Sequence, residues 1–150
     1  MIALRPAFEA RIEVGEVREV GATAKGVRKI IPILGGTFSG PEMAGVILPG
    51  GADWQLVRPD GVAEIEAHYT MMTNDGVSIY IMNKGYRHGP PEVMEKLARG
   101  EEVAPDQYYF RSTPRFEVAQ GKYDWLARSV FVGTGQRHRD HVLFRFYMCE

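Results

Sequence analysis

The sequence predicts a mainly β fold, an antiparallel barrel with one short helix. Three observations predict it. Apolar and polar residues alternate with period two through several short runs, as in Ala63-Glu64-Ile65-Glu66-Ala67-His68-Tyr69-Thr70-Met71. Hairpin signals separate such runs, with Arg58-Pro59-Asp60-Gly61 and Asn74-Asp75-Gly76 the clearest. Only the stretch from Pro90 to Gly100 carries a helical period. Seventeen glycines and nine prolines fall between the short apolar runs rather than in one tract, which means many turns, not disorder. The 150 residues fit a single domain, 1–150, long enough to bury a real core.

The elements follow in order. Phe8 to Val20 reads as one or two strands, with Ile12 and Val14 on one face. Val27 to Leu34 is β-rich, and Pro32 argues for an edge or a bulge because it has no N–H to give a ladder. Gly35 to Pro41 reads as a tight backbone course. Gly45 to Leu48 leads into the turn Pro49-Gly50-Gly51-Ala52-Asp53. Strands are expected over Trp54–Val57, Val62–Thr73 and Val77–Met82, then a loop over Asn83–Gly89. Proline in the first turn and Gly100 at the end bound the helix, with Val93, Met94 and Leu97 as its apolar stripe. Tyr108–Thr113 is a strand cut off by Pro114, and Tyr123–Leu126 a turn or short helix. Ser129–Val132 and Val142–Met148 are the last strands, with a polar turn over Gly135–Asp140. The central strands have large residues on both faces, which favours a barrel over a sandwich because a barrel has an interior to fill or use.

Composition excludes several classes. Net charge is −1 and the 18 basic residues are scattered, so no basic stripe offers itself to nucleic acid. The single cysteine, Cys149, cannot form an intrachain disulfide, which fits a reducing compartment. No apolar run reaches the roughly 18–20 residues that span a bilayer, and the N-terminal residues lack the order of a signal peptide. A cytoplasmic protein without a membrane partner is the expectation. Gly35–Gly40 lacks the Lys-Ser/Thr ending of a phosphate loop. His138 and His141 have no third ligand in view, so no metal is expected. No organic cofactor is expected either.

A set of motifs carries a resemblance: Gly-Gly-Thr-Phe-Ser-Gly-Pro at 35–41, Pro-Gly-Gly-Ala-Asp-Trp-Gln at 49–55, Arg-Pro-Asp-Gly at 58–61, Thr-Asn-Asp-Gly at 73–76, Tyr-Tyr-Phe-Arg at 108–111 and Tyr-Asp-Trp-Leu at 123–126. In this order, over nearly the whole chain, they resemble the bacterial and fungal family called domain of unknown function 3237, or uncharacterised protein family 0311. The resemblance implies a lipocalin-like or calycin-like β-barrel that self-associates. It implies no established activity and no catalytic residue.

The candidate site follows from strand parity. Glu66, His68 and Thr70 share one face of their strand, and Tyr109, Arg111 and Thr113 share one face of another. A carboxylate beside an imidazole suits general acid–base work. Arg111 and Tyr109 suit an oxygen that gains negative charge. Asp53, followed by Trp54, sits where a turn opens toward that face. The expectation is one polar, concave face on which His68, Glu66 and Asp53 act as acid and base, and Arg111, Tyr109, Trp54 and Thr70 hold the ligand. The plainer readings are a turn Asp bonded to local backbone, a solvated outer face for Glu66 and His68, and a structural salt bridge for Arg111. Three functions stay open: an enzyme doing proton-transfer chemistry (isomerisation, dehydration or cyclisation) on a partly apolar oxygenated small molecule, a non-catalytic ligand-binding barrel, and a structural homo-oligomer with a satisfied polar core.

Overall fold

The computed structural model describes residues 1–150. Ten strands form one antiparallel sheet: β1 (Leu4–Val14), β2 (Arg18–Thr23), β3 (Gly26–Ser39), β4 (Ala44–Ile47), β5 (Ala52–Val57), β6 (Ala63–Thr73), β7 (Ser78–His88), β8 (Tyr109–Val118), β9 (Phe131–Arg137) and β10 (His141–Cys149). The path runs β1-β10-β9-β8-β7-β6, continues through β4 and β5 to β3, and closes because β3 also pairs with β1. With β4 and β5 stacked end to end between β6 and β3, this is a closed eight-strand barrel. β2 hangs from β3 as a flap. The single α-helix, α1, spans Pro91–Ala98, and 3₁₀ turns cover Pro105–Gln107 and Asp124–Arg128.

Several strands run further than the sequence suggests. β3 continues through Gly35 and Gly36 to Ser39 instead of turning there. Its register against β1 slips between Gly35 and Ile33, next to Pro32, so the missing donor sits beside a bulge. Gly36 lies at the tightest point of the seam: a Cβ there would overlap the Arg11 carbonyl, so β1 and β3 close only over a glycine. β8 passes straight through Pro114, because β9 pairs with β8 only at Arg111 and Ser112 and leaves the strand without a neighbour on that side beyond. β7 extends to His88 and β9 to Arg137, through segments whose polarity reads as loop and turn.

The inner face is apolar through most of its length. In β6 the residues Ala63, Ile65, Ala67, Tyr69 and Met71 are buried and alternate with half-buried polar neighbours. Phe8, Phe38, Phe116, Phe131 and Phe146 meet edge-on or tilted and fill one half of the barrel. Gly133 and Gly135 point inward on β9, and their missing side chains admit the rings of Phe146 and Phe110. The turn Asp124–Arg128 lies near this filled half, with Leu126 buried, Trp125 beside Phe131, and the Tyr123 hydroxyl donating to Asp75 at 2.8 Å. β7 and β8 pair at His88 and Tyr109, so the segment between them leaves and returns at the opposite end of the barrel. Its helix α1 buries Val93 and Leu97 in the same core. Residues of the segment also tie to the β9–β10 hairpin, where Glu102 meets His138 Nδ1 at 2.7 Å.

Candidate functional site

Asp53 is the one expected acid–base residue that faces inward. It pairs with Ala67 on one side and Ile31 on the other, both interior residues. Its carboxyl accepts a hydrogen bond from the Glu66 backbone N–H at 3.0 Å and one from Gln55 Nε2 at 3.3 Å. Gln55 is itself buried. The residue keeps a little contact with solvent, but its carboxyl is turned into the protein. Burial there pushes its pKa up, against the lowering effect of the Glu66 N–H and the nearby Arg87 and Arg137 charges.

Around Asp53 lies a small cavity of about 40 Å³, room for about two or three water molecules. Its walls are mostly apolar and include Ile12, Ile31, Ile65, Phe110 and Phe144. Five polar side chains break that lining: Asp53, Tyr69, Asn83, Arg87 and Arg137. Three of them are buried with atoms that have no partner. The Tyr69 hydroxyl, both amide atoms of Asn83 and Arg87 Nε form no hydrogen bond. Such atoms cost roughly 1–3 kcal/mol each when unsatisfied, so a fold that keeps several around one cavity is set up to meet a polar guest or ordered water.

The charges are as uneven as the hydrogen bonds. Arg87 lies over the Phe110 ring at 5.2 Å and is fully inside. Burial is the largest cause of its lowered pKa, the neighbouring Arg137 adds to it, and the result is about 10, so it stays charged at neutral pH. Arg137 is lowered for the same first reason, while Asp53 and Tyr108 hold it up. Its Nη1 donates to the His138 carbonyl at 2.7 Å, and its backbone N–H donates to the Tyr108 hydroxyl at 2.9 Å. Burial raises the Tyr69 phenol, which therefore remains a neutral donor. The inner end of the barrel thus holds two guanidiniums against one carboxyl.

The other expected site residues stand on the outer face, where Trp54, Glu66, Tyr109 and Arg111 meet on one groove while Asp53, inside the barrel, and His68 and Thr70 lie apart from it. Glu66, His68 and Thr70 alternate with the buried Ile65, Ala67 and Tyr69 and point away from the interior. Glu66 is 44% exposed and pairs with Lys84 at 3.2 Å. His68 Nδ1 meets the Tyr80 hydroxyl at 2.8 Å, and its Nε2 sits 3.4 Å from Glu66 Oε2 without hydrogen-bond alignment. Tyr109, Arg111 and Thr113 are exposed and alternate with the buried Phe110 and Ser112. Arg111 stacks over Tyr109 at 5.6 Å and donates to the Phe110 carbonyl at 3.0 Å. Trp54 is exposed on the same outside. Trp54, Glu66, Tyr109 and Arg111 line an open outer groove of about 930 Å³ together with Tyr86, Lys84 and Tyr147. The physical reason is ordinary. The apolar member of each alternating pair goes in, and the polar member goes to water.

Arg87, Asn83 and Arg137 are the residues that sequence reasoning missed. A signal was present. Asn83 and Arg87 continue the parity of Ile79 and Ile81, and Arg137 continues that of Phe131, Gly133 and Gly135. His138 and His141, set aside as metal ligands, stack at 4.5 Å outside the cavity and bond through Nδ1 to Glu102 and Asp140.

Comparison with known proteins agrees with this architecture. Residues 2–149 match the family model described as "Protein of unknown function (DUF3237)". UPF0311 protein RPA1785 of Rhodopseudomonas palustris is 46% identical over 136 residues, which covers 91% of this chain and 89% of that protein. The crystal structure of RPA1785, a conserved protein of unknown function, aligns with TM-score 0.95 at 41% identity over 100% of this chain and 98% of that one. A β-barrel-like protein of Acinetobacter baumannii, ABAYE2633, aligns with TM-score 0.88 at 42% identity over 100% and 97%. An enzyme from Penicillium herquei shares the fold at TM-score 0.75 and 19% identity over 99% and 95%.

Proposed function

The chain belongs to the family described as "Protein of unknown function (DUF3237)", and from that premise we propose that it is a small-molecule enzyme of the barrel interior. Its chemistry is proton transfer on a partly apolar, oxygenated substrate (isomerisation, dehydration or cyclisation), with no metal or organic cofactor. Asp53 is the acid–base group. Burial raises its pKa toward the range where a carboxyl both takes and returns a proton, and its two hydrogen bonds fix its orientation. Arg87 and Tyr69 polarise the substrate oxygen, and the apolar walls take the carbon skeleton.

The observation that carries this reading is the meeting of one buried carboxyl with unpartnered Arg87, Asn83 and Tyr69 atoms around a single cavity. The distant Penicillium herquei neighbour is described as an enzyme, which is compatible with the reading and goes no further than the fold. Deuterium exchange into an enolisable probe, phenylpyruvate in D₂O followed by proton NMR, tests it. Wild-type protein should accelerate exchange, and Asp53→Asn should slow it by about 10²-fold or more. Equal rates with and without protein, or an undiminished Asp53→Asn rate, would remove the proposal. Self-association belongs to the same reading, because exposed Trp54, Tyr86 and Tyr109 gather on one outer groove.

A further inference from the structure

The geometry points to a ligand class for the barrel interior: a compact organic anion whose charged oxygen lies between Arg87 and Arg137 and whose apolar body lies against Phe110 and Phe144. This deepens the proposed function and rests on its choice of the interior cavity. Three independent features of the site argue for it.

The first is charge. Two guanidiniums enter a mostly apolar cavity that holds one carboxyl, and that carboxyl spends its hydrogen-bonding capacity on the Glu66 N–H and Gln55. Arg87 makes no salt bridge and leaves Nε unpaired, although it is 8% exposed. One carboxyl offsets at most one of the two guanidiniums, and an incoming oxyanion supplies the second partner in the planar geometry that guanidinium favours.

The second is hydrogen bonding. The donors left over, Tyr69 O–H, the Asn83 amide and Arg87 N–H, suit an acceptor-rich group such as a carboxylate, phenolate or enolate. A cation would face the two arginines and find only Asp53, so the site rejects it.

The third is position. Arg87 is one residue from the end of β7 and Arg137 ends β9, the barrel end crossed by the segment that carries α1. That segment is held to the β9–β10 hairpin by the exposed Glu102–His138 contact, a weak tie next to the Arg137 side chain. At about 40 Å³ the closed cavity has room for the anionic head, and the body fits only once the cavity widens along its Phe110 and Phe144 wall. The body enters from this end as α1 moves and withdraws its own Val93 and Leu97 from the core.

Isothermal titration of the intact protein with benzoate and with its neutral isostere benzamide tests the inference. Benzoate should bind, and benzamide should bind at least tenfold more weakly. Arg87→Met keeps the length and removes the charge, and it should weaken benzoate by about tenfold or more while leaving benzamide unchanged. Asp53→Asn carries no negative charge at any pH and should bind benzoate at least as tightly as wild type. Tyr109→Ala, on the outer groove, should change neither. Thermal melting of each variant checks folding. Equal affinity for benzoate and benzamide overturns the inference. So does benzoate binding that survives Arg87→Met, or that is lost in Tyr109→Ala. The two proposals fail separately. Benzoate bound as described with no exchange activity leaves the ligand class standing and removes the enzyme, whereas exchange activity with no preference for anions does the reverse.

Discussion

At the scale of single residues, environment assigns the roles more than residue type does. Asp53 and Glu66 are both carboxylates near the middle of the sheet, but one accepts bonds inside the barrel and the other meets Lys84 at the surface. Their stability effects differ accordingly. The pKa of Asp53 is raised above 3.8 in the folded state, so folding favours its protonated form. Its favourable contribution is complete below that value and is lost as pH rises through the folded-state pKa. Asp53→Asn holds the neutral form at every pH. The stability gap between Asp53→Asn and wild type should therefore widen from about pH 4 upward and then level off. Thermal melts of both proteins across pH read this directly, and a flat gap contradicts it. Glu66→Gln, at an exposed ion pair, should change stability by less than about 1 kcal/mol in urea titrations. A loss of several kcal/mol would mean that the Glu66–His68–Tyr80 group bears structural weight that its exposure denies.

At the scale of elements, the strands and turns were largely legible in the sequence, and the choice of inner face was not. The Asp60-Gly61 and Asp75-Gly76 turns lie where the sequence places hairpins, with Arg58 and Thr73 carbonyls accepting from Gly61 and Gly76. Alternation in β6 was equally clear, with every second residue buried. Periodicity separates two faces without saying which one lines a cavity. The positive charge of the interior comes from strand ends, where Arg87 and Arg137 extend β7 and β9 into stretches that composition marks as loop. Neighbouring strands, not local propensity, hold those stretches extended. The β1–β3 seam offers a test of the closure itself. Gly36→Ala drives a Cβ into the Arg11 carbonyl and should cost more than about 2 kcal/mol by urea denaturation. Gly50→Ala meets no atom within 4 Å and should cost about 1 kcal/mol, from its positive φ of 109° alone. Equal losses in the two would mean that the seam yields and that the barrel is not closed tightly there.

At the scale of the whole molecule, the barrel separates an interior cavity from an open outer groove. Eight strands enclose just enough space to be filled or to hold one small ligand. Here one half is filled with phenylalanine rings and the other keeps a small, mostly apolar cavity broken by Asp53, Tyr69, Asn83, Arg87 and Arg137. The outside carries the exposed Trp54, Tyr86 and Tyr109 on one groove, and no helix is long and apolar enough to cross a membrane. Light scattering should show a mass above the 16.8 kDa of one chain, and Trp54→Glu should move it toward the monomer. A wild-type monomer at high concentration contradicts the self-association. The chemistry we propose belongs to the interior carboxyl and not to the outer His68 cluster. The most direct measurement is the rate of deuterium exchange into phenylpyruvate for Asp53→Asn beside His68→Ala. Loss of about 10²-fold or more in Asp53→Asn, with a His68→Ala rate within about threefold of wild type, is the result expected. A collapse in His68→Ala with Asp53→Asn unaffected would put the chemistry on the outer face and contradict the account.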